Sequence, residues 1–218
     1  MSSGKDTPKL VSIVVASMGR PCLETLFESI RKSTLTISYE IVLVVPKSVS
    51  LPTKLLNEYK PRLVLEERPT GCVAAFNSGM RAARGKYVAH INDDCQVCPG
   101  WLDEMLSLVG DRDVLGAFYI QEPDTDGFIV NSLWGKLYAN FGLAKKSLFE
   151  ELGYWDESYF QYGGDPDFAL KVWHAGYQVV ATPKAKIIHH CIVDEHRKEH
   201  LREDAYNQLV RKWTGIYC

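Results

Sequence analysis

Three polar side chains in a row, Asn92, Asp93 and Asp94, follow a short apolar run that begins at Tyr87. Adjacent carboxylates repel each other, so they persist only when solvated, paired or bound to a cation. Hard cations such as Mg²⁺ and Mn²⁺ take carboxylate oxygens and bridge to substrate phosphates. Asp93 and Asp94 therefore read as a divalent-cation site for a nucleoside diphosphate, with a polar capping turn as the plainer alternative.

A second candidate lies at Gly163-Gly164-Asp165-Pro166-Asp167. The order suits a helix start, with Asp165 as N-cap, Pro166 at the first helical position and Asp167 at the positive end of the dipole. Capping uses one oxygen, and two preceding glycines let a substrate hydroxyl approach the other, so Asp165 can also serve as a general base. His189 and His190 follow an apolar strand pattern and are either rim residues or metal ligands. Ser17, Gly19 and Arg20 follow another such strand, where a backbone turn and a guanidinium suit a diphosphate. Cys95 and Cys98 are either apolar fillers beside a turn or, with Cys191 and His189 or His190, a zinc site. Trp134, Tyr154, Trp155 and Tyr162 lie in or near an unpatterned stretch around the glycine pair. There they either join the core or stack on a flat ligand face.

The elements that must position these groups follow from the apolar pattern. Residues 10–16 and 40–45 are rich in β-branched residues and predict buried strands; residues 62–66 predict a third. Helices are predicted after Pro21, over residues 51–59 and after Gly71, the last ending at Gly85. The strand from Tyr87 and a helix starting at Pro99 complete four strand–helix alternations, which predicts a mostly parallel sheet covered on both faces. Beyond Asp111 a strand over 114–120 is expected, with residues 128–130 pairing back on it. A short helix over 148–152, a loop over 154–164 and a helix over 165–175 come next. Short strands at 179–181 and 185–188 flank Pro183, and a charged amphipathic helix spans 195–213.

At 218 residues with 46% hydrophobic content the chain can bury a substantial core. Its formal net charge of −2 gives no support to a nucleic-acid partner. No apolar run approaches the ~18–20 residues of a membrane span, and the polar residues 1–9 read as a disordered tail rather than a signal peptide. Six thinly spread cysteines suggest reduced thiols and a cytoplasmic protein.

In combination these residues resemble family 2 glycosyltransferases of the GT-A fold, over about residues 10–191. Residues 11–21 (VSIVVASMGRP) are similar to the family's opening strand and nucleotide-binding turn. Residues 77–88 (NSGMRAARGKYV) are similar to its Asn-x-Gly helix and the strand that follows, and Asn92-Asp93-Asp94 stands at the D-x-D position ahead of Pro99-Gly100-Trp101-Leu102. Gly153-Tyr154-Trp155-Asp156-Glu157 and the glycine pair resemble the catalytic stretch, and Gly176, Tyr177, Pro183, Ala185 and His189 complete the order.

The resemblance implies a single α/β, Rossmann-like GT-A domain with a mostly parallel central sheet and a smaller antiparallel portion in the C-terminal half. Residues 10–110 form its donor half, 111–194 its acceptor and catalytic half, and 195–218 a C-terminal helix. It implies an inverting, metal-dependent enzyme transferring a hexosyl or deoxyhexosyl group from a nucleotide-diphospho-sugar to a glycan, lipid-linked or protein-linked hydroxyl. A lipid-linked acceptor would bring the protein to a membrane surface. A sugar nucleotidyltransferase and a non-catalytic carbohydrate-binding protein are the alternatives. Asp165 becomes the base, and Asp94, Asp93 and His189 hold Mn²⁺ or Mg²⁺. Ala16, Ser17, Arg20, Gly71, Asn77, Asn92 and Asp93 meet the donor, while Trp134, Trp155, Tyr162 and Gly164 meet the acceptor. Three departures stand out: Asn92 opens the D-x-D position, Gly164 replaces an acid before Asp165, and Pro46 ends the second strand where the family often has a base-reading aspartate.

Overall fold

A computed structural model describes residues 10–192 and 202–218. The tail expected over residues 1–9 and the start of the helix expected from 195 lie outside the described residues. Four apolar segments form the parallel strands β1 (Val11–Ala16), β2 (Tyr39–Pro46), β3 (Arg62–Glu66) and β4 (Tyr87–Asn92). Helices α1 (Cys22–Ser33), α2 (Thr53–Tyr59) and α3 (Cys72–Ala82) connect them. Then come β5 (Cys95–Val97), α4 (Trp101–Val109), β6 (Val114–Gln121), β7 (Ser132–Leu133), β8 (Lys136–Leu137) and β9 (Gly142–Lys145). The chain continues with α5 (Lys146–Glu151), α6 (Gly164–His174), β10 (Gln178–His189) and α7 (Arg202–Trp213).

The eight-stranded sheet runs β3-β2-β1-β4-β9-β6-β10-β5, and only β9 and β5 oppose the common direction. β7 and β8 form a separate hairpin. Alternation along β1 explains why both faces must be covered. Val11, Ile13 and Val15 join the layer of α1, α2 and α4, while Val14 joins the layer of α3, α5, α6 and α7. A Cβ at Gly79 would collide with Val14 and Val44, so this glycine lets α3 lie directly on the sheet.

Several boundaries differ from the sequence expectation. The helix predicted to start at Pro99 starts at Trp101, because Gly100 takes a left-handed backbone (φ 76°) and turns the chain first. Asp165 is not the N-cap of α6. Gly163 is (φ 92°), and Asp165 falls in the first turn, where Pro166 is still tolerated because the early N–H groups lack helical partners. The two short strands around Pro183 are one strand, β10, whose pairing with β6 shifts register between Thr182 and Lys186. The segment expected to pair back at 128–130 does so through a bridge between Ile120 and Ile129.

After β3 at the sheet edge, the chain returns through α3 to place β4 beside β1, on the side away from β2. Ala16 and Asn92 end these two strands in register. Open α/β sheets form their ligand crevice at such a reversal of strand order. No helix among the described residues is long and apolar enough to cross a membrane.

Candidate active site

The candidate residues collect at the carboxyl ends of the parallel strands. Beyond β1, Ser17 Oγ donates to Asp93 Oδ2 at 2.6 Å and accepts from the Gly19 N–H at 2.9 Å. Arg20 Nη1 donates to Asp93 Oδ1 at 2.9 Å and lies 3.9 Å from Asp94 Oδ2. Both oxygens of Asp93 are thus engaged by the β1 turn, and Asp93 lies outside the group that Asp94 forms with His189.

Asp94 is fully buried and sits beyond β4 against the end of β10. Its Oδ2 accepts the Ile192 N–H at 2.9 Å, and His189 Nε2 lies 3.3 Å from Oδ1. His189 Nδ1 lies 2.8 Å from Glu122 Oε1 and 3.3 Å from Cys191 Sγ. Burial disfavours a charged imidazole, but Asp94 and then Glu122 outweigh it and raise the His189 pKa above 6.5. Buried Nε2 has no hydrogen-bond partner, which is costly unless something else meets it. A carboxylate oxygen and an imidazole nitrogen facing each other are a donor set that fits a divalent cation. Two groups of potential ligands assemble among the described residues, Asp94 with Cys95 and His189, and Glu122 with His189 and Cys191; Cys98 and the exposed His190 join neither, so the site expected on Cys95 and Cys98 together is not assembled.

Two clefts adjoin this centre. One, enclosing about 540 Å³ with its open solvent, runs under the start of α3 and is lined by Ala16, Ser17, Arg20, Gly71, Asn92 and Asp93, among others. The other, about 610 Å³, is lined by Asp165, His189, Glu122, Asn140, Trp155, Tyr162 and Gly164, among others. Cys72, Asn92 and Gln161 line both, so the clefts share a border at the end of β4.

Asp165 points into the second cleft from the first turn of α6. Asn140 Nδ2 donates to its Oδ2 at 3.0 Å, and Asn131 Nδ2 donates to Asn140 Oδ1 at 2.5 Å. Gly164 leaves no room for a side chain, since even a Cβ would come within 2.6 Å of Val73 and 3.0 Å of Trp155.

Two sequence candidates sit elsewhere. Asn77 is buried and pins the loop before α6: its Oδ1 accepts the Trp155 N–H at 3.0 Å, and its Nδ2 donates to the Trp155 carbonyl and to Glu157. It lines neither cleft. Trp134 sits in the β7–β8 turn with a left-handed backbone and packs against Tyr206 of α7, also outside both clefts. Sequence reasoning missed Glu122, Asn140 and Asn131. Glu122 directly follows β6 and was findable as an acid at a strand's carboxyl end; the two asparagines carry no local signal.

The family model described as glycosyl transferase family 2 matches residues 12–161. An O-antigen biosynthesis protein, RfbC of Myxococcus xanthus, is 29% identical over 85% of the chain and 18% of its own length. A solved structure of GalNAc-T7 with UDP, GalNAc and Mn²⁺ superposes with a TM-score of 0.73 at 16% identity, covering 97% of this chain and 49% of that one. The mannosyltransferase PcManGT of Pyrobaculum calidifontis, with GDP-Man and Mn²⁺, gives 0.71 at 15% identity, covering 94% and 65%. The chain therefore spans less than two thirds of each of these proteins, and the two structural likenesses establish a shared fold.

Proposed function

The chain belongs to glycosyl transferase family 2, and we propose that it transfers a sugar, with inversion, from a nucleotide-diphospho-sugar to an acceptor hydroxyl in the cytoplasm. The observation that carries this reading is the shared border of the two clefts. A donor laid in the first cleft puts its diphosphate beside Arg20 and its anomeric carbon near Asn92, while an acceptor in the second lies against Asp165. The acceptor oxygen attacks the anomeric carbon, the bond from that carbon to the phosphate oxygen breaks, and the nucleoside diphosphate leaves. Asp165 takes the hydroxyl proton as the new bond forms, with Asn140 holding the carboxylate in place. General-base help of this kind is worth ~10²–10⁴-fold.

Asp94 and His189 are the residues that would hold Mn²⁺ or Mg²⁺. A cation there supplies positive charge against the developing diphosphate. Trp155, Tyr162 and the backbone at Gly164 form the acceptor side, and a carbohydrate or glycoconjugate is the partner they suit. Thermal shift against UDP-, GDP-, dTDP- and CDP-sugars, with and without Mn²⁺, tests the reading. At least one donor should raise the melting temperature more with the metal than without it. No response to any of them contradicts it.

A further inference from the structure

The first cleft has chemically opposite ends. Arg20 stands at the β1–β4 end, and Glu66, the last residue of β3, stands at the other. Phosphate oxygens belong beside the guanidinium. The Glu66 carboxylate repels them, so a nucleoside diphosphate has one orientation here, with its base toward β3. Three inter-strand steps of ~4.8 Å separate β4 from β3, about 14 Å in all, which accommodates a base, a ribose and a diphosphate in line. Ala16, Val44, Pro46 and Ala75 give the stretch between an apolar lining.

Pro46 pairs in register with Glu66, so β2 offers no polar side chain at this end and the carboxylate comes from the neighbouring strand. Thr70 Oγ1 donates to Glu66 Oε1, which orients the group and leaves Oε2 as an acceptor. Glu66 is half-buried, and that burial raises its pKa although Thr70 opposes the shift. A partly desolvated acceptor gains more from a ligand donor than one in open water.

Resting on the reading of this cleft as the donor site, we propose that Glu66 reads the nucleobase by accepting a hydrogen bond from a ring N–H. An ionised carboxylate only accepts. Set against the middle of a pairing edge, it meets N–H in uracil, thymine and guanine but a lone pair in cytosine and adenine. The donor is therefore a uridine, thymidine or guanosine diphospho-sugar. Pro46 leaves the end of β2 without a side-chain acceptor, and Glu66 supplies one from β3.

Calorimetric titration of the protein with UDP, dTDP, GDP, CDP and ADP in the presence of Mn²⁺ tests this. At least one of the first three should bind about tenfold or more tighter than CDP and ADP, the size of one hydrogen bond to a charged group. Glu66→Gln should shrink that gap to within about threefold at an unchanged melting temperature. Thr70→Val, which keeps the carboxylate but frees it, should narrow the gap as well. CDP or ADP binding as tightly as the others, equal weakening of all five in Glu66→Gln, or unchanged selectivity in both variants overturns the assignment while the donor site stands. If the wild-type protein binds none of the five, the donor reading falls and this one with it.

Discussion

His189 Nε2 faces Asp94 Oδ1 at 3.3 Å, while the same ring's Nδ1 lies 2.8 Å from Glu122 Oε1. The second contact favours a proton on Nδ1, which leaves Nε2 as the ring nitrogen that a cation beside Asp94 would take in place of a proton. β6, β10 and the turn after β4 bring the three groups together, although they lie far apart in the chain.

Replacing Glu122 with Gln should therefore weaken Mn²⁺ binding by about 10–100-fold, the usual cost of losing a partner behind a metal-binding histidine. Metal titration followed by paramagnetic resonance reads this without any turnover. Affinity within twofold of wild type would show that Glu122 does not orient the ring.

Asn140 stands behind the proposed base as Glu122 stands behind the histidine. Asn140→Ala removes the hydrogen bond to Asp165 Oδ2 and breaks the link to Asn131. We expect kcat to fall by about tenfold, the value of roughly one such bond, with little change in donor KM. A rise in KM alone would place Asn140 in binding instead.

His90 links pH to stability. Its ring is buried among Phe76, Phe149 and Trp155, and burial lowers its pKa from 6.5 to about 4, with a backbone contact to Ala139 opposing. The unfolded chain takes up the proton below about 6.5 and the folded chain only near 4. The contribution is thus complete above pH 6.5 and is lost as pH falls toward 4. At about 1.4 kcal/mol per pH unit, that interval is worth about 3 kcal/mol. Denaturant unfolding at pH 7 and pH 4.5 should show a smaller acid loss in His90→Leu than in wild type. Equal losses would contradict the assignment.

Much of this was legible in the sequence, and the physical reason is locality. β1, β2 and β4 are nearly continuous apolar runs because both faces of the sheet are covered, and such runs announce themselves. β9 did not: Gly142–Lys145 is four residues long, and its place between β4 and β6 depends on partners more than twenty residues away. Asp165 and His189 were visible as titratable residues at element ends, and both line the second cleft. The division of labour between Asp93 and Asp94 was not, since it depends on Arg20 and Ser17 reaching across from the β1 turn. The cap of α6 was misplaced because the left-handed turn at Gly163 starts the helix two residues earlier, so Asp165 falls inside the first turn and faces Asn140.

The central claim is that Asp165 moves a proton while the first cleft holds the donor. Asp165→Asn separates the two, and the direct measurement is donor binding by calorimetry alongside transfer rate on the same preparation. Donor affinity should stay within about twofold while transfer falls by ~10²-fold or more. Parallel loss of binding and transfer, or transfer that survives the substitution, would contradict the account.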